Sequence, residues 1–334
     1  MKGYKGFNPG LVCKDKQYKE STVFEEPEAE ICQKGMHFCE NPFDVLDYHD
    51  LVRSDGSFND FAEVEALDEA RTDDSKKFCT KKLKIGVKLS FAGFVKACVD
   101  FVLEKTIREM PNASINSGYS AKIGSSGDYA QIGSSGNSAQ IGSSGNNAQI
   151  GSSGDYAQIG SSGYYAQIGS SGNNAQIGSS GYSAKIGSFG DNAKIGSSGD
   201  SAQIGSSGDY AKIGSSGDYA QIGSSGDYAQ IGSSGYSAQI GSSGDNAKIG
   251  SSGYSAKINC EGKDSVVCCA GHGSVVKAST GCWITLAEWE YDSANGRLAP
   301  VCVKTEYVDG EKIKADTPYR LENGEFVEVA SDGD

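Results

Sequence analysis

Along the middle of the chain isoleucine returns at positions 123, 132, 141 and every ninth residue to 258, sixteen times in all. Each unit fits S-G-x-x-A-[QK]-I-G-S with few lapses; the third position is Asp, Asn or Tyr and the fourth Tyr, Ser or Asn. Within x-A-[QK]-I, small and apolar residues alternate with polar ones. This predicts a short strand with Ala and Ile on one face, and Gln or Lys with the preceding Tyr, Ser or Asn on the other. The G-S-S-G that follows supplies two glycines suited to turning the chain at positive φ.

Strand and turn at a fixed period predict a β-solenoid, since a free Gly/Ser linker gains nothing from an isoleucine every nine residues. Nine residues are too few to close a coil easily. Two units per coil, in a flattened two-sided roll, are therefore expected, with a three-unit triangular coil as the alternative. Sixteen units then make about eight coils stacked at ~4.8 Å, a rod of roughly 38 Å. A solenoid's open ends need covers. Upstream, SFAGFVKACVDFVLEKTIREM has a candidate N-cap in Ser90, apolar residues at helical spacing and Pro111 to close it, which predicts an amphipathic helix lidding the first coil. Ahead of it, FAEVEAL and KKLKIGVKL pattern as strands and PFDVLDYHDLV as a short helix. Downstream, DSVVCC and SVVKA continue the alternation as irregular last rungs. VCVKTEYV-DG-EKIK and YRL-ENG-EFVEV pattern as hairpins, and Trp283 and Trp289 as packing for the end of the core.

The expected fold is thus mainly β, a nonapeptide-repeat solenoid in three regions. Residues 1–116 form a small α+β domain ending in the capping helix, 117–258 the rod, and 259–334 the irregular rungs and hairpins. No apolar run approaches the ~20 residues of a membrane span, and the start MKGYKGFNPG has no signal-peptide core. Ten cysteines split five and five across the two ends, an odd number on each side, which favours free thiols and a cytoplasmic setting. The net charge of −13 disfavours direct binding to nucleic-acid phosphates. Residues 1–116 carry 21 acids and 17 bases, 117–258 eight and six, and 259–334 fourteen and seven.

Candidate chemistry is sparse. Calcium-binding nonapeptides read G-G-x-G-x-D-x-U-x; here Asp falls one place early and occurs in only eight of sixteen units, too irregular a supply of oxygen ligands. Cys32, His37 and Cys39 could donate to zinc, with Cys13 or Cys79 as a fourth ligand, although C-x4-H-x-C is no standard finger. Buried free cysteines beside a satisfied histidine are the commoner situation, so no metal is expected. The solvent side of the rod offers Tyr129, Tyr156, Tyr165, Tyr210, Tyr219 and Tyr228 as an interaction surface, with Phe189 as a lapse in the turn; ordinary solvated ladder residues are the plainer reading.

YKGFNPGLVC, CQKGMHFCENPFDVLDYHD and FAEVEAL resemble a small domain of bacteriophage and prophage proteins. GCWITLAEWEYD with VDGEKIKADTPYRLENGEFVEV resembles the C-terminal part of the same group, which often carries Gly/Ser/Ala repeats between. That resemblance implies a phage or prophage origin and a role exercised by binding, and it brings no catalytic residues. KGMHFCENPFDVLDYHD also resembles, in outline, the glycine-aromatic-Phe segment of ADP-ribosyltransferases, which would make Glu63 and Glu65 the E-x-E pair. Lys5 stands where those enzymes carry His or Arg, and no S-T-S strand is present. The expectation is a non-enzymatic, cofactor-free protein that binds and inhibits a bacterial host protein such as a CRISPR, restriction or nucleic-acid enzyme, alone or as a homo-oligomer. A virion or adhesion rod and an ADP-ribosyltransferase-like enzyme are the alternatives.

Overall fold

The computed structural model describes residues 1–31, 33–108 and 114–330. The chain is mainly β, 45% strand and 6% helix, with a solenoid of about nine turns between residues 122 and 286. Every four-residue strand [QK]-I-G-S pairs in parallel with the strand eighteen residues later, Ile123 opposite Ile141 and Ile132 opposite Ile150. A coil is therefore two units, and alternate units build two facing sheets. Ile, Ala and the strand-ending Ser point inward; Gln or Lys and the strand glycine point outward. The rod's core is a double row of Ile and Ala, nearly all fully buried. The inward serines of most rungs, Ser206 and Ser224 among them, bury hydroxyls with no partner.

The turns correct one sequence expectation. None of the repeat glycines has positive φ; that conformation falls on the fourth position, Tyr129 at 58°, Asn147 at 54°, Ser201 at 55° and so on to Ser255. The cost of a left-handed non-glycine residue is offset because its N–H reaches a carbonyl of the next coil, as Tyr228 N–H does to Asp245 O at 2.9 Å. The turn glycines serve close approach instead. A Cβ on Gly226 would lie 2.5 Å from the carbonyl carbon of Gly208, one coil back, so only glycine lets successive turns stack at the rung spacing.

The N-terminal region is a six-stranded sheet in the order Val23–Glu25, Lys82–Leu89, Asp60–Ala66, Lys2–Phe7, Met36–Cys39, Lys77–Thr80. It carries a one-turn helix α1 (Pro42–Val45) and a longer α2 (Phe91–Leu103), whose N-cap Ser90 accepts from the Gly93 N–H. The strands patterned as FAEVEAL and KKLKIGVKL are present, whereas only four residues of PFDVLDYHDLV are helical. Pro111 lies outside the described residues. α2 is no lid on the first coil: it lies lengthwise along one sheet of the rod. One of its sides packs Phe94 on Phe61, centroids 3.8 Å apart; another sets Val95 and Val99 over Gly205 and Gly187. An apolar helix face needs apolar ground, and the flank's row of glycines offers it where a rod end offers unpaired backbone.

At the far end, Trp283–Asp292 and Arg297–Tyr307 form a long antiparallel hairpin extending one sheet, and Tyr319–Glu322 with Glu325–Glu328 extends the other. VCVKTEYV thus pairs backward with WITLAEWEYD, and DGEKIK is no strand: Asp309 Oδ1 gathers the N–H groups of Glu311, Lys312 and Ile313. Trp289 is half-buried and its indole N–H donates to Ala270 O at 2.9 Å, while Trp283 faces outward beside Tyr307.

Candidate binding face

The two sheets of the rod share one sequence pattern and differ in what lies on them. On the covered sheet the outward ladder runs Gln131, Gln149, Gln167, Lys185, Gln203, Gln221 and Gln239, and segment 41–53 reads it. Gln167 Nε2 donates to Asp44 Oδ1 and its Oε1 accepts from Asn41 Nδ2, both at 3.1 Å. Lys185 Nζ donates to Phe43 O at 2.9 Å and to Asp47 Oδ1 at 2.5 Å. Gln203 Nε2 donates to Leu46 O; Gln221 accepts from Leu51 N and donates to Asp50 Oδ1. Beside the ladder, the strand glycines from Gly151 to Gly241 are roofed by Leu103, Val102, Val99, Val95, Phe91 and Phe58.

The opposite sheet has the same floor and no roof. A Cβ on Gly124, Gly142, Gly160, Gly178, Gly196, Gly214 or Gly232 would meet nothing within 4 Å. With their flanking ladder these glycines line a shallow trough of about 1240 Å³. Four of the ladder positions are lysines, Lys122, Lys194, Lys212 and Lys248. At the C-terminal end the ladder turns apolar: Val266 and Trp283 are about half exposed, at 48% and 49%, with Tyr307 at 43% and the thiol of Cys268 open to solvent. Sequence reasoning assigned Trp283 to the core. The register that places it outward, level with Val266, follows from the nine-residue count slipping to eight between Cys269 and Leu286.

The tyrosines do not form one face. Tyr129, Tyr165 and Tyr219 stand in the turns along one edge of the rod, Tyr156, Tyr210 and Tyr228 along the other. Their companions are mostly other rings: Tyr210 stacks on Tyr228 at 4.9 Å, and Tyr219 meets Tyr236 edge-on at 5.7 Å. Phe189 lies 5.9 Å from Lys96 Nζ of α2, an internal contact. The third-position Asp residues accept backbone N–H groups one coil on: Asp227 N–H donates to Asp209 Oδ1 and Asp245 N–H to Asp227 Oδ1, both 2.9 Å. That role needs one acceptor oxygen, which Asn supplies as well as Asp, and it calls for no cation.

In the N-terminal sheet, Glu63 lies opposite Tyr4 and Glu65 opposite Lys2 and Lys84, at a cleft of about 430 Å³. Cross-strand lysines on either side account for Glu65, and Glu63 is exposed on the same wet strand face. Cys32 lies outside the described residues. His37 sits among lysines; burial first, then Lys5 and Lys77, push its pKa down to about 4. Cys39 is buried, its thiol raised to about 12 by burial. Cys13 lies 3.5 Å from the Lys5 ammonium and Cys79 donates to Lys34 O. Among the described residues no three His, Cys, Asp or Glu side chains gather to hold a metal, and no helix is long and apolar enough to cross a membrane.

Residues 1–97 match the family model described as a domain of unknown function, DUF7666. The match ends inside α2 and leaves the rod outside it. No curated protein and no solved structure was found that matches the chain.

Proposed function

We propose that this chain is a non-catalytic binding protein that holds a partner protein against the open sheet of its rod. The observation that carries the reading is the asymmetry between two sheets of one sequence: the chain's own N-terminal region occupies one, and its twin stands bare with a lysine ladder, a smooth glycine floor and an aromatic end. Bare flat backbone flanked by half-exposed Trp and Tyr is the composition of a recognition surface. The phage-like ends of the sequence support a partner from a bacterial host, met in the cytoplasm. Inhibition of a defence or nucleic-acid enzyme there is the consequence we attach to occupancy.

The test is affinity capture from bacterial lysate with the full chain and with a Gly196→Trp/Gly214→Trp form. Both glycines face open space, so the substitutions fill the trough without touching the fold. A protein retained by the natural chain and lost by the filled one is the expected result. Equal capture by both, or none by either, would overturn the reading.

A further inference from the structure

The covered sheet shows what this floor accepts. Phe91, Val95, Val99 and Leu103 of α2 sit over Gly223, Gly205, Gly187 and Gly151, so the helix runs against the direction in which the coils advance. Twelve helical residue steps from Phe91 to Leu103 cover about 18 Å. The four rungs from Gly223 to Gly151 cover about 19 Å. The two lengths match, which is why one helix keeps its apolar side on the glycine row through five consecutive rungs. Alongside, the ladder is met by three carboxylates, Asp44 and Asp50 on glutamines and Asp47 on Lys185.

We infer that the open trough takes an amphipathic α-helix of a partner protein, seated lengthwise on the glycine row with acidic side chains along the lysine ladder. This rests on the reading of the open sheet as the binding face and specifies what it grips. The floor repeats the covered one rung for rung. Its seven rung steps from Gly124 to Gly250 are about 33 Å, the length of a helix of roughly 22 residues. The ladder sets the charge: over eight rungs each, the open sheet carries Lys122, Lys194, Lys212 and Lys248 where the covered sheet carries Lys185 and Lys257, and none of the four has an ion-pair partner among the described residues. Four unpaired lysines among the eight ladder positions, three of them within the last four, disfavour a second copy of the same sheet and favour a helix with acids on one flank.

The probe is the chain's own α2 as a synthetic peptide, residues 90–105 with Cys98→Ala, and a second form in which Lys96→Glu and Lys105→Glu make it acidic. Titrated calorimetrically into the intact full-length protein, both are expected to bind at one site. The acidic form should bind tighter, and by a margin that shrinks as salt is raised. Gly196→Val with Gly214→Val should weaken both by at least about tenfold, while a peptide of scrambled order should not bind. Binding unaffected by the open-sheet valines would mean that the peptide merely displaces α2, and would overturn the inference. So would an extended acidic peptide or a single-stranded oligonucleotide that binds the trough where the helix does not. If the helix fails while capture of a protein still depends on Gly196 and Gly214, the open sheet remains the binding face and only the helix falls.

Discussion

Gly205 lies directly beneath Val95: a Cβ on the glycine would come within 2.9 Å of the valine Cγ2. Nine residues on, Gly214 has the same sequence neighbours and open space above it. Alanine at three glycines should therefore have three outcomes. Gly205→Ala should cost about 2 kcal/mol by lifting α2. Gly214→Ala should be neutral or add about 0.5 kcal/mol, because it narrows the unfolded ensemble and meets nothing. Gly226→Ala, whose Cβ would meet the backbone of Gly208 one coil back, should cost most and break the stacking of turns. Denaturant unfolding of the three variants checks the order.

Lys185 is nearly buried, its side chain 6% exposed, and Asp47 is 35% exposed. Lys185→Met strands the Asp47 carboxylate and Phe43 O under the N-terminal region. For a fully buried pair the loss would be larger; with Asp47 partly solvated, about 2 kcal/mol is expected. Lys185→Gln, the residue of the neighbouring rungs, should cost less. Hydrogen exchange along α2 should accelerate in the methionine variant while the rod's strands stay protected.

His37 and His49 are both driven down to about 4 by burial, with Lys5 adding to each. The fold keeps them neutral, whereas the unfolded chain takes up protons below about 6.5. The stability they contribute is whole above 6.5 and is lost as pH falls from there toward 4, with a slope approaching 1.4 kcal/mol per pH unit for each group. Both lie in the N-terminal region, so acid should loosen that region first. His49→Gln should flatten the slope measured between pH 6.5 and 4.

Ser224 buries a hydroxyl that nothing satisfies. Ser224→Ala should raise stability by about 1 kcal/mol; in the same sheet the later rungs already carry Cys260 and Ala278 at this place. Asp209→Ala should lower it by a similar amount, since the Asp227 N–H loses its acceptor, and Asp209→Asn should restore it. Added calcium or chelator should leave the melting temperature of the natural chain where it is.

The two-unit coil was legible because Ile returns at nine and nine residues cannot close a turn; Ile123 opposite Ile141 bears it out. The role of the glycines was not. Sequence shows that a position tolerates no side chain, but positive φ and close approach leave the same residue, and only Tyr129 at 58° separates them. The resting place of α2 was hidden for a related reason. Its stripe of Phe91, Val95 and Val99 announces a partner, yet the two sheets look alike in sequence. The lapses marked the difference: Phe189 lies by Lys96, and Lys185 stands where a glutamine ladder would otherwise run unbroken from Gln131 to Gln239. The open trough has no signature of its own, because it consists of what the covered sheet has and lacks only its cover.

Pairing at eighteen residues, with units alternating between sheets, gives the rod a parity. Insertion or loss of two units only lengthens or shortens it, and every downstream strand keeps its side. Insertion or loss of a single nine-residue unit sends each later strand to the opposite sheet. The bulky side chains of Trp283 and Tyr307 would then stand on the side where the N-terminal region lies, and the lysines would trade places with the glutamines that hold segment 41–53. Variation in the length of this chain should therefore proceed in steps of eighteen.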